Sequence, residues 1–235
     1  MITFLQKVFA WLILQLQSSL SAPAVCTAMA PPLPKAPLGH LVSATTPSSS
    51  SSSPPIALEA YLDLVCPFSK RLYTRLTQDV LPALSGKISL TLHQTPQPWH
   101  FQSAILHEAL AAVGLVKPAA LPQAWDVLFA HQTDFMDTEV QDITRKQMVD
   151  KIANLLVGNG VIDDKAAYLQ TLALDTSNEN RNGGTAATQP LKFAVKQHRQ
   201  LGIHVTPTCR LNGLVVDTSS GWTLDQWKEF LAPLL

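Results

Sequence analysis

The sequence predicts an α/β fold, with strands towards both ends of the chain and helices between them, and three observations carry that prediction. The apolar run Tyr61–Val65 leads into Cys66, and Pro67 directly behind it opens a helix. Asn212-Gly213 separates two short apolar runs, the strongest short-range signal for a β-hairpin. From Phe101 to Leu201 the apolar spacing is helical, and no stretch alternates as a strand does.

Leu58, Ala60, Leu62 and Leu64 alternate with Glu59, Tyr61 and Asp63, which predicts a strand over Ala57–Leu64 with one wholly apolar face. Central parallel strands are usually apolar on both faces, so Glu59 and Asp63 require a reason. Asp63 is expected in a solvated or capping role. Pro67 suits the first helical position, where its missing N–H costs nothing. Cys66 is then the N-cap, its sulfur facing unpaired N–H groups and the positive end of the helix dipole, with Lys70 and Arg71 close by. Each of these favours the thiolate, the reactive form of cysteine. A lone cysteine is more often an inert core residue; the strand–Cys–Pro–helix order sets Cys66 apart. Phe68, Leu72, Leu76 and Val80 recur every four residues, so the helix should run Pro67–Leu81 and stop near Pro82.

Cys66-Pro67-Phe68-Ser69 resembles the active-site motif of thioredoxin-fold proteins, closest to the DsbA-like group, whose motif reads Cys-Pro-x-Cys. Val205-Thr206-Pro207-Thr208, followed by a hairpin and a final helix, resembles the cis-proline loop of the same fold. The resemblance covers the stretch from Ala57 to Leu235. It implies a thioredoxin-like fold with an inserted helical domain near residues 101–201. It also implies a cis Pro207 beside the Cys66 sulfur, and a Thr206 backbone that aligns substrate as a strand. Pro67, Phe68, Thr206 and Pro207 are thus expected at a substrate site. So are Trp99 and His100, in the loop Gln94–His100 at the end of the next strand; the other readings make Trp99 a cover for the core and His100 a helix cap. Several such enzymes keep a buried acid as a proton relay six residues before the cysteine, but Ala60 stands there, and Asp63 is the substitute on offer.

Ser69 occupies the place of the second cysteine, which in a two-cysteine site resolves the mixed disulfide formed by the first. Three functions follow. In a monothiol thiol-disulfide oxidoreductase, Cys66 attacks a disulfide, Ser69 hydrogen-bonds the thiolate, and glutathione or another thiol resolves the adduct. A kappa-type glutathione transferase or isomerase would activate glutathione as co-substrate. A binding module would keep the groove without turnover. The first is favoured, with a thiol or disulfide substrate and no cofactor beyond glutathione itself.

The remaining elements follow in order. Lys87–His93 alternates as a strand. Helices are expected over Ser103–Val113 and Gln123–Met136. Thr144-Arg145-Lys146-Gln147 forms a capping box before a helix closed by Gly158-Asn159-Gly160. Asp164–Leu174 and Thr188–Leu201 complete the helical set, with a polar turn at 176–184 between them. His107, His131, His198 and His204 are read as packing residues, His204 being the nearest to the proline loop. Cys209 is expected in the core. Thr223-Leu224-Asp225-Gln226 is a second capping box, and Trp227, Phe230, Leu231 and Leu234 form the last apolar face.

Before Glu59 no acidic residue occurs, and the N-terminus is different in kind. Lys7, the apolar run Val8–Leu14 and Ala22-Pro23-Ala24 read as a signal peptide over residues 1–24, implying the secretory pathway or an extracellular location. The run is too short for a membrane span, which needs about 20 apolar residues. Met29 offers another start, and a chain beginning there would be cytoplasmic. Residues 25–56 are Pro- and Ser-rich and read as a linker, with His40–Ser43 as a possible edge strand. With 17 basic and 17 acidic residues the chain has no basic cluster of the kind nucleic acids require. Cys26, Cys66 and Cys209 have no metal-ligand spacing, so no metal is expected.

Overall fold

A computed structural model describes residues 32–43, 55–176 and 181–235. The signal-peptide reading, Cys26, the start at Met29 and the serine run Ser48–Ser53 lie outside the described residues. The compact unit spans Pro34–Leu235, so it begins well before the expected boundary at Ala57. The reason is an edge strand, β1 (His40–Ser43), that pairs into the sheet.

Five strands form one sheet in the order β1-β3-β2-β4-β5, with β2 at Ile56–Leu62, β3 at Ile88–Gln94, β4 at Thr208–Leu211 and β5 at Leu214–Val216. β2 and β3 are parallel, and all other pairs are antiparallel. The register aligns Tyr61 with His93, Glu59 with Arg210 and Ala60 with Cys209. Leu58, Ala60 and Leu62 are buried, as the alternation requires. The opposite face carries a polar cluster. Glu59 accepts from Tyr61 Oη at 2.9 Å and from Arg210 Nη1 at 3.0 Å, and the Tyr61 ring stacks on His93. That answers why a central strand tolerates Glu59: its charge is paired across β4. At the β4–β5 turn Asn212 and Gly213 both have positive φ, +48° and +89°, as this tight turn demands.

The helix behind Cys66, α1, covers Pro67–Arg75 and then widens into a π-helical turn over Leu76–Val80 before a last short turn, Leu81–Ala83. The expected helix to Leu81 thus exists but is not uniform. Pro82 lacks an N–H and its ring crowds the carbonyl four residues back. The π turn resets the ladder just ahead of it, with Leu81 N–H reaching Leu76 O.

Between β3 and β4 every regular element among the described residues is helical. These are α2 (Phe101–Val116), α3 (Leu121–Ala130), α4 (Asp137–Val140), α5 (Arg145–Gly158), α6 (Lys165–Thr171) and α7 (Thr188–Gln200). Gln123–Met136 is not the single helix expected: α3 ends at Ala130, a 3-10 turn spans Gln132–Phe135, and Met136 is extended at the N-cap of α4. His131 and Asp134 pair within that turn. Both capping boxes form, Thr144 with Gln147 and Thr223 with Gln226, the latter opening α8 (Leu224–Leu231). One hydrophobic core runs through both parts, from Leu58 and Leu76 to Trp125, Ile152 and Trp227.

Candidate active site

β2 ends at Leu62, and Asp63–Val65 turn the chain into Cys66, the N-cap of α1. Cys66 is partly exposed, and its Sγ donates to the backbone carbonyl of Thr206 at 3.5 Å. The Thr206–Pro207 bond is cis. The Thr206 carbonyl, and with it the Thr206–Pro207 bond, is thus brought beside the sulfur, Pro67 and Phe68 follow Cys66 in the first turn of α1, and Phe68 and Val205 are exposed.

Several expected roles are corrected. The sulfur takes no hydrogen bond from the helix N-terminus, because it points across to the Thr206 carbonyl instead. Ser69 does not reach it either. Ser69 is fully buried, and its Oγ accepts from Asp63 N–H at 3.2 Å, bracing the strand end from inside the first turn. Lys70 Nζ donates to Ala130 O at 3.2 Å, and the Arg71 guanidinium lies over the Phe68 ring. Trp99 is exposed, edge-on to His100, whose Nδ1 sits 3.0 Å from Asp137 Oδ1. No hydrogen bond, ion pair or ring contact joins Trp99 or His100 to Cys66 among the described residues. His100 occupies the N-cap position of α2 without capping it through its side chain. His204 is exposed, bonded to Gly202 O.

The largest departure concerns Asp63. It is not solvated; it is completely buried, because the strand end runs under α2, which supplies the side-chain partners Ser103 and His107. Ser103 Oγ donates to Oδ1 at 2.7 Å, Val65 N–H donates to Oδ1, and Gln97 N–H donates to Oδ2. His107 Nε2 stands 3.3 Å from both Asp63 Oδ1 and the Leu64 nitrogen. It donates to the carboxylate when protonated and accepts from Leu64 when not, so its tautomer selects between them. Its Nδ1 faces Gln94 Oε1 at 3.2 Å. Burial alone pushes the Asp63 carboxyl up, but His107, Ser103 and the Val65 N–H outweigh it and hold it below the usual carboxylate range. Asp63 is thus a buried anion three residues before Cys66. Gln132 completes the frame from the helical insert: its Nε2 donates to Leu64 O at 2.8 Å and to Cys66 O at 3.0 Å.

Sequence reasoning read His107 only as a packing residue and did not single out Gln132, and nothing local could have flagged the bonds that either makes to the turn. Cys209 is fully buried in β4, as expected for a core thiol, and both described cysteines are free.

The fold is shared with solved structures. A candidate protein-disulfide isomerase from Pseudomonas syringae matches with a TM-score of 0.59 at 24% identity, over 75% of this chain and 93% of that one. The fold is thioredoxin-like, of the DsbA type. The same likeness extends to MdbA, a thiol-disulfide oxidoreductase from Actinomyces oris, with a TM-score of 0.54 at 17% identity over 76% of this chain and 81% of that one. The thiol-disulfide exchange protein alpha-DsbA2 of Wolbachia pipientis matches with a TM-score of 0.52 at 15% identity, over 80% and 84% of the two chains. No family model and no curated protein matches the sequence. Within this DsbA-type fold the helices between β3 and β4 are the insert, and Gln132 is where the insert grips the active-site turn.

Proposed function

We propose that this protein is a monothiol thiol-disulfide oxidoreductase with Cys66 as its nucleophile. The observation that carries the reading is the placement of a partly exposed Cys66 at a helix N-cap, 3.5 Å from the Thr206 carbonyl. Thiolate attack on a substrate disulfide forms a Cys66–substrate bond and expels the other sulfur as a thiolate, which takes a proton from solvent. A second thiol, for which glutathione is the fitting co-substrate, then attacks the mixed disulfide and releases Cys66 reduced. The net reaction moves a disulfide between thiols without changing the redox state of the protein. Ser69 cannot act as a resolving thiol, and its bond to Asp63 N–H supports a structural part in the turn. Thr206, with its carbonyl beside the sulfur, is suited to align an extended substrate backbone. Phe68 and Val205 supply exposed apolar surface on either side. The apolar N-terminal run supports work in an oxidising compartment, where such substrates persist.

The test is incubation with glutathione disulfide followed by peptide mass spectrometry. One glutathionyl adduct should form on Cys66, none on Cys209, and added glutathione should remove it. A Cys66 that stays unmodified while an unfolded control reacts would leave a non-catalytic binding module.

A further inference from the structure

From Arg181 to Val216 the chain contains no acidic residue, and α7 lies inside that stretch. Within α7, Lys192, Lys196 and Arg199 follow one another at spacings of four and three residues, which puts all three on one face of the helix. All three are exposed. Leu191 and Val195 lie between them, half-buried, and floor a shallow groove along the helix. Pro190, Phe193 and Ala194 are on the other side, where α7 meets α2 and β3.

Elsewhere the cations are engaged. Arg75, Lys117, Arg145, Lys165 and Arg210 each pair with a carboxylate, and Lys70 and Lys151 donate to backbone carbonyls. The side chains of Lys192, Lys196 and Arg199 make no ion pair and no hydrogen bond among the described residues. Like charges at these spacings repel and weaken a helix, and the fold brings no acid across to relieve them. The groove therefore offers a row of unpaired donors beside an apolar floor.

We propose that this face of α7 docks an acidic amphipathic helix of a partner protein. The partner's carboxylates pair with Lys192, Lys196 and Arg199, and its apolar residues lie on Leu191 and Val195. Along the axis the cations stand about 6 Å and then about 4.5 Å apart, and a second helix repeats its acids at the same two intervals. An extended strand returns to one face only every 6.7 Å or so, at about 3.3–3.4 Å per residue, and fits the first interval alone. A membrane-binding helix carries bulky apolar residues that enter the lipid, whereas Leu191 and Val195 are recessed between longer cationic side chains. Three cations are also too few to track a nucleic-acid backbone.

The probe is a capped helical peptide of about four turns, with glutamates at intervals of four and three residues and leucines beside them. Its control has glutamine in place of every glutamate. Both are titrated into the full-length protein by calorimetry. The acidic peptide should bind with a stoichiometry of one, at least tenfold more tightly than the control, and more weakly as salt is raised. The triple variant Lys192→Glu, Lys196→Glu, Arg199→Glu should lose the acidic peptide and gain a version with lysine at the glutamate positions. A milder triple variant, Lys192→Gln, Lys196→Gln, Arg199→Gln, should weaken the acidic peptide at least tenfold, which keeps the test decisive if charge reversal prevents folding. Absence of acidic-peptide binding, equal affinity for the control, or undiminished binding by the glutamine variant would each overturn the proposal. So would binding to phosphatidylglycerol vesicles without binding to the peptide, which would make the face a lipid contact.

Discussion

The two described cysteines carry one functional group in opposed settings. Burial pushes the Cys209 thiol up to about 11, only partly offset by a hydrogen bond with Thr218. At pH 8 about one Cys209 in a thousand is then ionised. Iodoacetamide at that pH should label Cys66 in the folded protein and spare Cys209 until urea unfolds it, read by peptide mass spectrometry. Glu59 shows the opposite shift. The His93 imidazole, its Nε2 3.1 Å from the carboxylate, is the chief cause, burial works against it, and Tyr61 and Arg210 add to the lowering, so the carboxyl sits at about 2 against 4.5 unpaired. Its contribution to stability is present above pH 4.5 and is lost as pH falls through about 2. Glu59→Gln should cost about 2–3 kcal/mol at pH 7 and flatten the loss of urea resistance between pH 4.5 and 2. Ser69→Ala would strand the buried Asp63 N–H and should cost about 1–3 kcal/mol in urea unfolding. Cys66 and its surroundings were legible in the sequence because strand, cysteine and proline are adjacent. The roles of Asp63 and Ser69 were not, because what decides them is which donors lie overhead. Those are Ser103 and His107, brought across some forty residues of chain by the fold.

Among the elements, the short-range signals were the readable ones. A capping box needs only Thr144 and Gln147, or Thr223 and Gln226, three residues apart, and both formed. The hairpin turn needs only Asn212 and Gly213. The break after Ala130 was hidden, because Trp125, Leu128, Phe129 and Phe135 keep a helical spacing through it and all four are buried. The break has a purpose in the fold: it delivers the Gln132 amide to the active-site turn. Gln132→Leu should leave Leu64 O buried without its donor and cost about 1–3 kcal/mol. Hydrogen exchange at the amides of residues 64–70 should speed up in that variant, while exchange in β3 stays as in the wild type.

At the scale of the molecule, the sheet and the helical insert share a core. Trp125 in α3 and Trp227 in α8 belong to the same buried cluster as Leu58 and Leu76. Unfolding by urea should accordingly be one transition, with tryptophan fluorescence and far-UV circular dichroism superimposing. An early fluorescence change ahead of the loss of helix would mean that the insert opens independently. The α/β class and the position of the insert were readable from where strand alternation stops and resumes. The participation of Pro34–Ser43 was only half readable: four residues of β1 carry a strand pattern, but the contact of Gly39 with His93 depends on a left-handed backbone that no periodicity encodes.

The grip of Gln132 on the carbonyls of Leu64 and Cys66 bears on how such proteins can be recombined. Domain shuffling usually treats an insertion as cargo, cut at its two junctions and exchanged whole. Here the junctions at Gln94 and Thr208 are the lesser boundary. A transplanted helical module would have to bring an amide donor to the same point in space, or the host would keep a Cys66 whose supporting turn had lost a fastening. Compatibility between host and graft is therefore set by residues inside the exchanged segment, Gln132 together with Ser103 and His107, and a chimera library scored on junction sequence alone would discard or keep members for the wrong reason.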